Sequence, residues 1–337
     1  MKVGNFLFTE SRYPEQDHDL LGKTQEEALL ADELGMDAVW LAEHHFDGNC
    51  VYVDPIAFAA TLAVTTKKVR IGFAVLQTSL HHPVRLAEQM SLLDHLSGGR
   101  MIVGLGRGTM FNPYEYEGYQ VDPAETPGRL EEAEDILLKS WSGEPVDHQG
   151  KYWQLKFPIL RPVPFTRPHP LLLRSISVNP ESLTLQARKG RPFLLGPVRE
   201  DLLADRLETV RVAMREAGHS DDKIATTIAE SWCWRNVTVA ETDEKALALG
   251  LAAYREMVDY RAAISPAFRD YMARFDRTKV PDGFVCGTPK TVLEHFRRLK
   301  ASGIGGVIVR FRIGFLDHDV VMNGIRLFAT EVAPYLR

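Results

Sequence analysis

The sequence predicts a (β/α)8 TIM barrel with insertions, folded as a single domain over residues 1–337. Three observations carry this. Short β-branched or apolar runs alternate with longer stretches of 3.6-residue periodicity, the signature of strands followed by helices. The pair recurs eight times along the chain. Gly, Asp-Pro and Asn-Pro punctuate the junctions where a helix stops or starts. A doubly wound sheet competes for any repeated strand–helix pattern, and eight units in a chain of this length favour the barrel.

Strand one is read over residues 2–8 and its helix over 24–34, stopped at Gly35. Strand two covers 38–41; Asp54-Pro55 then supplies an N-cap and a first helical position, with an Ala-rich face to Ala63. Strand three is 69–76, and its helix, 83–96, ends at Ser97-Gly98-Gly99. Strand four is 101–105 with a helix over 128–141, and strand five is 171–175, with Asn179-Pro180-Glu181 opening the next helix. Strands at 192–195, 226–237 and 306–311 complete the set, separated or closed by helices at 199–217, 243–258, 289–302 and 319–332. Two stretches break the rhythm. Residues 145–170 are rich in Pro and aromatics and read as an insertion. Residues 259–286 carry Tyr260, Phe268, Tyr271, Phe275 and Phe284 and read as a mobile lid.

Composition narrows the function. Hydrophobic residues make up 45% and charged residues 25% of the chain, as in an ordinary globular protein. The net charge of -5 leaves no electrostatic footprint for nucleic acid or an anionic membrane. No segment approaches the ~18 uninterrupted apolar residues of a membrane helix. The amino-terminal residues fit neither a signal nor a transit peptide. Cys50, Cys233 and Cys286 are far apart and odd in number, which argues against a disulfide framework and for a cytoplasmic protein.

A barrel of this kind builds its active site at the carboxyl ends of the strands. There the sequence places Glu43-His44-His45-Phe46, Gln77-Thr78-Ser79, His81-His82, Gly104-Leu105-Gly106-Arg107-Gly108 and Ser175-Ile176-Ser177. Histidine suits proton transfer near neutral pH. Metal catalysis fits less well, because strand one ends without a His pair and HExxH is absent. The glycine run is neither a dinucleotide fingerprint nor a P-loop. Three glycines and one arginine let backbone approach an anion while a guanidinium grips it. The free N–H groups at Asn179-Pro180-Glu181-Ser182 also attract phosphate, so two neighbouring loops point to a phosphate-bearing cofactor.

Glu43-His44-His45-Phe46, His82-Pro83-Val84-Arg85-Leu86-Ala87-Glu88, Leu92-Leu93-Asp94-His95-Leu96-Ser97-Gly98-Gly99-Arg100 and Gly104-Leu105-Gly106-Arg107-Gly108 resemble, in this order, the bacterial luciferase-like flavin monooxygenases. The likeness continues through Asn179-Pro180-Glu181-Ser182 and Val285-Cys286-Gly287-Thr288-Pro289. It implies a barrel that binds reduced FMN at its carboxyl face. It further implies delivery of FMNH2 by a separate NAD(P)H:flavin reductase, and reaction with O2 to a C4a-hydroperoxide that oxygenates a small organic substrate.

Carried over by position, the resemblance makes His44 the catalytic acid/base. It makes Arg107 the phosphate ligand, with Gly108, Ser177, Val178 and Ser182 around it. Ala74 and Val75 match a dipeptide joined by a non-prolyl cis bond beneath the flavin. Phe8, Trp40, Phe111, Tyr114, Trp232 and Trp234 are the candidates for the substrate pocket. The family also suggests a homodimer built on the second and third helices.

Two positions depart from luciferase. Gly106 stands where its catalytic subunit has a reactive cysteine, and Ile176-Ser177 where it has Glu-Ser. Oxygenation of a substrate other than a long-chain aldehyde is therefore expected. Two alternatives stay open. One is F420-dependent hydride transfer, against which stands Gly48 where those relatives have Trp. The other is a non-catalytic flavin-binding subunit, against which stand both His44 and Arg107.

Overall fold

The computed structural model describes residues 1–48, 50–109, 111–176 and 180–337. Its strands are β1 (Lys2–Phe6), β2 (Ala38–Leu41), β3 (Arg70–Phe73), β4 (Leu76–Gln77), β5 (Met101–Gly106), β6 (Val146–Gln149), β7 (Gln154–Phe157), β8 (Leu171–Ile176), β9 (Phe193–Leu195), β10 (Trp232–Val239), β11 (Phe284–Gly287) and β12 (Gly306–Arg310). The α-helices are α1 (Asp17–Glu33), α2 (Pro55–Thr65), α3 (Pro83–Ser97), α4 (Pro113–Tyr119), α5 (Thr126–Trp141), α6 (Pro180–Ala187), α7 (Glu200–Glu216), α8 (Asp221–Ala229), α9 (Asp243–Ile264), α10 (Pro266–Met272), α11 (Pro289–Ala301) and α12 (His318–Glu331). All the barrel pairings are parallel. They run β1–β2–β3–β5–β8–β9–β10–β12 and close with β12 on β1, giving the eight-stranded barrel. No helix among the described residues is long and apolar enough to cross a membrane.

Inside the barrel, large side chains stand over glycines. A Cβ on Gly4 or Gly72 would meet the Trp40 indole at 2.4 and 2.5 Å, and one on Gly306 would meet Trp232 at 2.5 Å. Trp40 and Trp232 fill that space edge-on, with ring centres 4.9 Å apart, and neither is exposed. Interiors of small barrels are packed rather than hollow, and alternating large and small residues is how a taper is filled.

Two expectations need correction. Residues 226–229 belong to α8 and not to a strand. Ser220 caps that helix by accepting from the Lys223 N–H, and Ile224, Thr227 and Ile228 bury one helical face, which overrides the β-branched composition. The third strand is broken into β3 and β4 by a cis Ala74–Val75 peptide. The stretch 259–286, read as a lid, holds the last turns of α9, then α10, then β11, which pairs outside the barrel with β10. The insertion at 145–170 contains the antiparallel β6–β7 hairpin.

Candidate active site

The loop after β2 is organised by a buried carboxylate. Glu43 faces two imidazoles, with Oε1 3.0 Å from His45 Nε2 and 2.8 Å from His81 Nε2. Burial alone would push the Glu43 carboxyl up. The two imidazoles outweigh it and hold Glu43 at about 2. Burial likewise opposes charge on His81, but the facing carboxylate raises its pKa. Glu43 also accepts the Gln77 backbone N–H at 2.6 Å, and its carbonyl accepts the Gln77 side-chain amide at 2.9 Å.

Gln77 passes this order on. Its Oε1 accepts the Thr109 N–H at 3.1 Å, and Ser79 Oγ donates to the Arg107 carbonyl at 2.8 Å. The loops after β4 and β5 are thereby locked together. The glycines of the β5 run are required for this closeness. A Cβ on Gly104 would lie 1.8 Å from the Phe73 carbonyl oxygen, and one on Gly106 would lie 2.3 Å from Val75 Cγ2. Gly108 has φ +109, with Tyr116 Oη and Gln77 Oε1 occupying its Cβ side at 2.6 and 2.9 Å. Arg107 has its backbone fixed by these contacts, while its side chain is exposed and in no ion pair among the described residues.

His44 sits between aromatic rings. Phe8 meets it edge-on with centres 5.5 Å apart, and Phe111 stacks at 6.2 Å. Tyr271 of α10 stacks in turn on Phe111 at 4.7 Å, and Phe268 meets Phe111 edge-on at 5.4 Å. Side chains of α10 thus pack on the far side of the ring that stacks on the histidine. His44 Nδ1 is 3.5 Å from Glu115 Oε1, longer than a hydrogen bond, and has no other partner among the described residues. Burial raises the Glu115 pKa, but His44 and the Thr109 hydroxyl outweigh it and set the carboxyl below its usual range. Glu115 accepts the His45 N–H at 3.0 Å, and Asn112 donates to the His45 carbonyl at 2.8 Å. His44, Asp47 and Glu115 place potential metal-ligand atoms within 4.8 Å of one another. Glu115 is engaged in the loop bonds just given, and Asn112 also reaches Asp47 at 3.3 Å, so the cluster serves as a clamp between the β2 and β5 loops.

The remaining sequence candidates fall in different places. Ala74 and Val75 are half-buried at the mouth, beside the Arg107 loop. β5 and β8 are neighbours, so Arg107 and the start of α6, where Ser182 is half-buried, share one side of the barrel. Ser177 and Val178 lie outside the described residues. Trp234 is half-buried and packs edge-on against Phe6 at 5.6 Å. Tyr114, capped by Asn112, is 39% exposed. Trp40 and Trp232, expected at the substrate pocket, are instead placed in the closed core, where glycines leave room for them. A cleft of about 850 Å³ between Lys2, Arg211, Ile228 and Lys300 opens at the opposite, amino-terminal end of the barrel.

Sequence reasoning missed Glu115 and a buried triad. Glu10 is shared by Arg261 of α9, at 2.9 Å from Nε, and Arg310 of β12, at 3.0 Å. Arg310 lies 4.2 Å over the Phe8 ring, and its burial lowers its pKa to about 10. The available signal was an arginine at the carboxyl end of an otherwise apolar strand.

With this geometry the comparisons are decisive. Residues 1–305 match the family model described as luciferase-like monooxygenase. The chain belongs to the luciferase-like monooxygenase family. It is accordingly a flavin-dependent monooxygenase of that family. It is 28% identical over 317 residues to limonene 1,2-monooxygenase of Rhodococcus erythropolis, an alignment covering 90% of this chain and 78% of that one. Among solved structures it is similar to monooxygenase RslO1 from Streptomyces bottropensis, with TM-score 0.85, 25% identity and full coverage of both chains. It also shares its fold with an F420-dependent secondary alcohol dehydrogenase solved with an F420-acetone adduct, at TM-score 0.78 and 21% identity over 100% of this chain and 99% of that one.

Proposed function

We propose that this chain is the oxygenase of a two-component system, taking reduced FMN from a separate NAD(P)H:flavin reductase and using O2 to oxygenate a small organic substrate. The observation that carries the reading is the exposed guanidinium of Arg107, in no ion pair among the described residues, held by a fixed loop next to the half-buried Ala74–Val75 backbone and on the same mouth as His44. A flat ring needs an apolar backbone platform and its phosphate needs a cation. The residues present fit both. Arg107, with Gly108, Ser177, Val178 and Ser182, would hold the phosphate, and Ala74 and Val75 would back the ring. Bound reduced flavin supplies the electrons that activate O2.

The protein's own residues do the rest. With Nδ1 turned toward Glu115, His44 Nε2 is the atom left to exchange a proton. Phe111, Phe268 and Tyr271 close an apolar cover over it and exclude water. The free cysteines agree with a cytoplasmic setting. Exposed Val64 on α2 and Leu92 and Leu96 on α3 supply the apolar face for a homodimer.

The test is anaerobic equilibrium dialysis against reduced FMN and reduced F420, followed by oxygen-consumption measurements. Retention of reduced FMN with O2 uptake supports the reading. Retention of F420 alone would replace it with hydride transfer. Position 48 speaks against F420, since a Cβ there would lie 2.5 Å from the Ser11 carbonyl oxygen and leave no room for the tryptophan of those relatives. Flavin retention with no oxygen uptake across a substrate panel would support the non-catalytic subunit instead.

A further inference from the structure

The eightfold alternation needs one helix between β9 and β10, and this chain has two, α7 and α8. The second helix forms one wall of the cleft of about 850 Å³ at the amino-terminal end of the barrel. Pockets for small molecules run from about 300 to 1,000 Å³. Ile224, Ala225 and Ile228 share the face of α8 that lines the cleft. The two isoleucines pack inward, while the short side chains of Ala225 and Ala229 are exposed and leave the wall open. Ile304, in the turn between α11 and β12, adds to this apolar lining. That turn runs close under α8, since a Cβ on Gly305 would lie 2.1 Å from the Ala229 carbonyl oxygen.

The rim of the cleft is cationic. Lys2, Arg211, Arg215, Lys300 and Arg337 line it, against the carboxylates of Asp37 and Asp221. This reverses the balance of the chain, in which 45 acidic residues outnumber 40 basic ones. Arg211 pairs with Glu208 at 3.2 Å, Arg215 with Asp221 at 3.3 Å, and Lys2 with Glu230. Asp37 accepts the Val3 N–H at 2.8 Å. Lys300 and Arg337 have no side-chain carboxylate partner among the described residues. Lys300 Nζ donates to the Arg337 main-chain oxygen at 3.0 Å, and Arg337 donates to the Gly35 carbonyl at 2.5 Å. An ammonium carries three donors, so Lys300, whose side chain is exposed, keeps two to give.

We propose that this cleft is a second binding site, at the end of the barrel opposite His44 and Arg107, for a small amphipathic carboxylate. The apolar chain of such a ligand lies along the α8 face and Ile304, and its carboxylate accepts from Lys300 Nζ within the field of Arg337. An exposed ion pair alone is weak, and an apolar chain alone leaves the cations unmatched, so binding needs both halves of the ligand. The concave shape and the volume suit a small molecule rather than a protein, whose standard interface spreads over about 800 Å² on each partner. The proposal does not depend on the oxygenase reading above.

The test is calorimetric titration of the full chain with octanoate, octanol and acetate at low salt. Octanoate should bind about threefold or more tighter than octanol, which lacks the charge, and at least about tenfold tighter than acetate, which lacks the chain. Added salt should weaken octanoate and leave octanol unchanged. Ala225→Trp fills the cleft from an exposed position and should abolish octanoate binding. Lys300→Gln should weaken octanoate by about threefold or more without changing octanol. Thermal unfolding of both variants at the wild-type midpoint is the check on folding. Equal affinity for octanoate and octanol, or no octanoate binding up to about 5 mM, overturns the proposal. So does octanoate binding that survives Ala225→Trp, which would place the ligand elsewhere on the chain, or an octanoate affinity untouched by Lys300→Gln.

Discussion

Replacing Glu43 by Gln tests whether the Glu43–His45–His81 cluster holds the site together. The substitution keeps the shape and removes the charge. The Glu43 pKa falls from 4.5 to about 2 on folding, which corresponds to about 3 kcal/mol of stability. Because the folded value lies below the unfolded one, this contribution is complete above roughly pH 4.5 and is lost as pH falls toward about 2. The raised His81 pKa acts in the opposite sense. Its share is complete below the ordinary value of 6.5 and is lost as pH rises through the folded value. The cluster is therefore strongest between about pH 4.5 and 6.5. Urea unfolding at pH 5.5 should show the Glu43→Gln midpoint lowered by about 1 M, taking a slope of ~3 kcal/mol/M. Near pH 3 the gap between the two proteins should shrink by about half. A midpoint shift under about 0.2 M, or a gap that does not change with pH, would refute the reasoning.

Three further outcomes are expected. Gly106→Ala should destabilise by about 1–3 kcal/mol, because its Cβ would sit 2.3 Å from the stiff Val75 Cγ2, and Val75→Ala should restore most of the loss; thermal unfolding of both variants and the double checks this. His44→Ala should keep flavin affinity and lower product formation by ~10²-fold or more; unchanged turnover would remove His44 from the mechanism. Leu92→Lys combined with Leu96→Lys on α3 should shift the mass measured by light scattering toward the monomer; a mass unaffected by both changes would place any dimer contact elsewhere.

Much of the barrel was legible because each strand is a short apolar run with a helix-stop or helix-start signal beside it. Ala38–Leu41 matches its expected limits, and Asp54 caps α2 through the Ile56 and Ala57 N–H groups. The helix α8 was missed altogether, and its last turn read as strand, because Thr226-Thr227-Ile228 is β-branched; packing rather than propensity decided it. The β5 glycines were read as room for an anion. The structure adds a local reason, since Gly104 and Gly106 let β5 approach Phe73 and Val75. Glu115 and the Glu10–Arg261–Arg310 triad were illegible for a different reason. Their partners are far away in sequence, Arg261 being 251 residues from Glu10, and no periodicity encodes such a contact.

The central claim is that Arg107 grips the phosphate of a reduced flavin at this mouth. It is tested most directly by comparing the anaerobic affinities of reduced FMN and reduced riboflavin for the wild-type chain and for Arg107→Ala. The account predicts that wild type binds reduced FMN at least about tenfold tighter than reduced riboflavin, as for a charge-assisted contact, and that Arg107→Ala abolishes the difference. Equal affinity of wild type for the two flavins, or a preference that survives in Arg107→Ala, would contradict it.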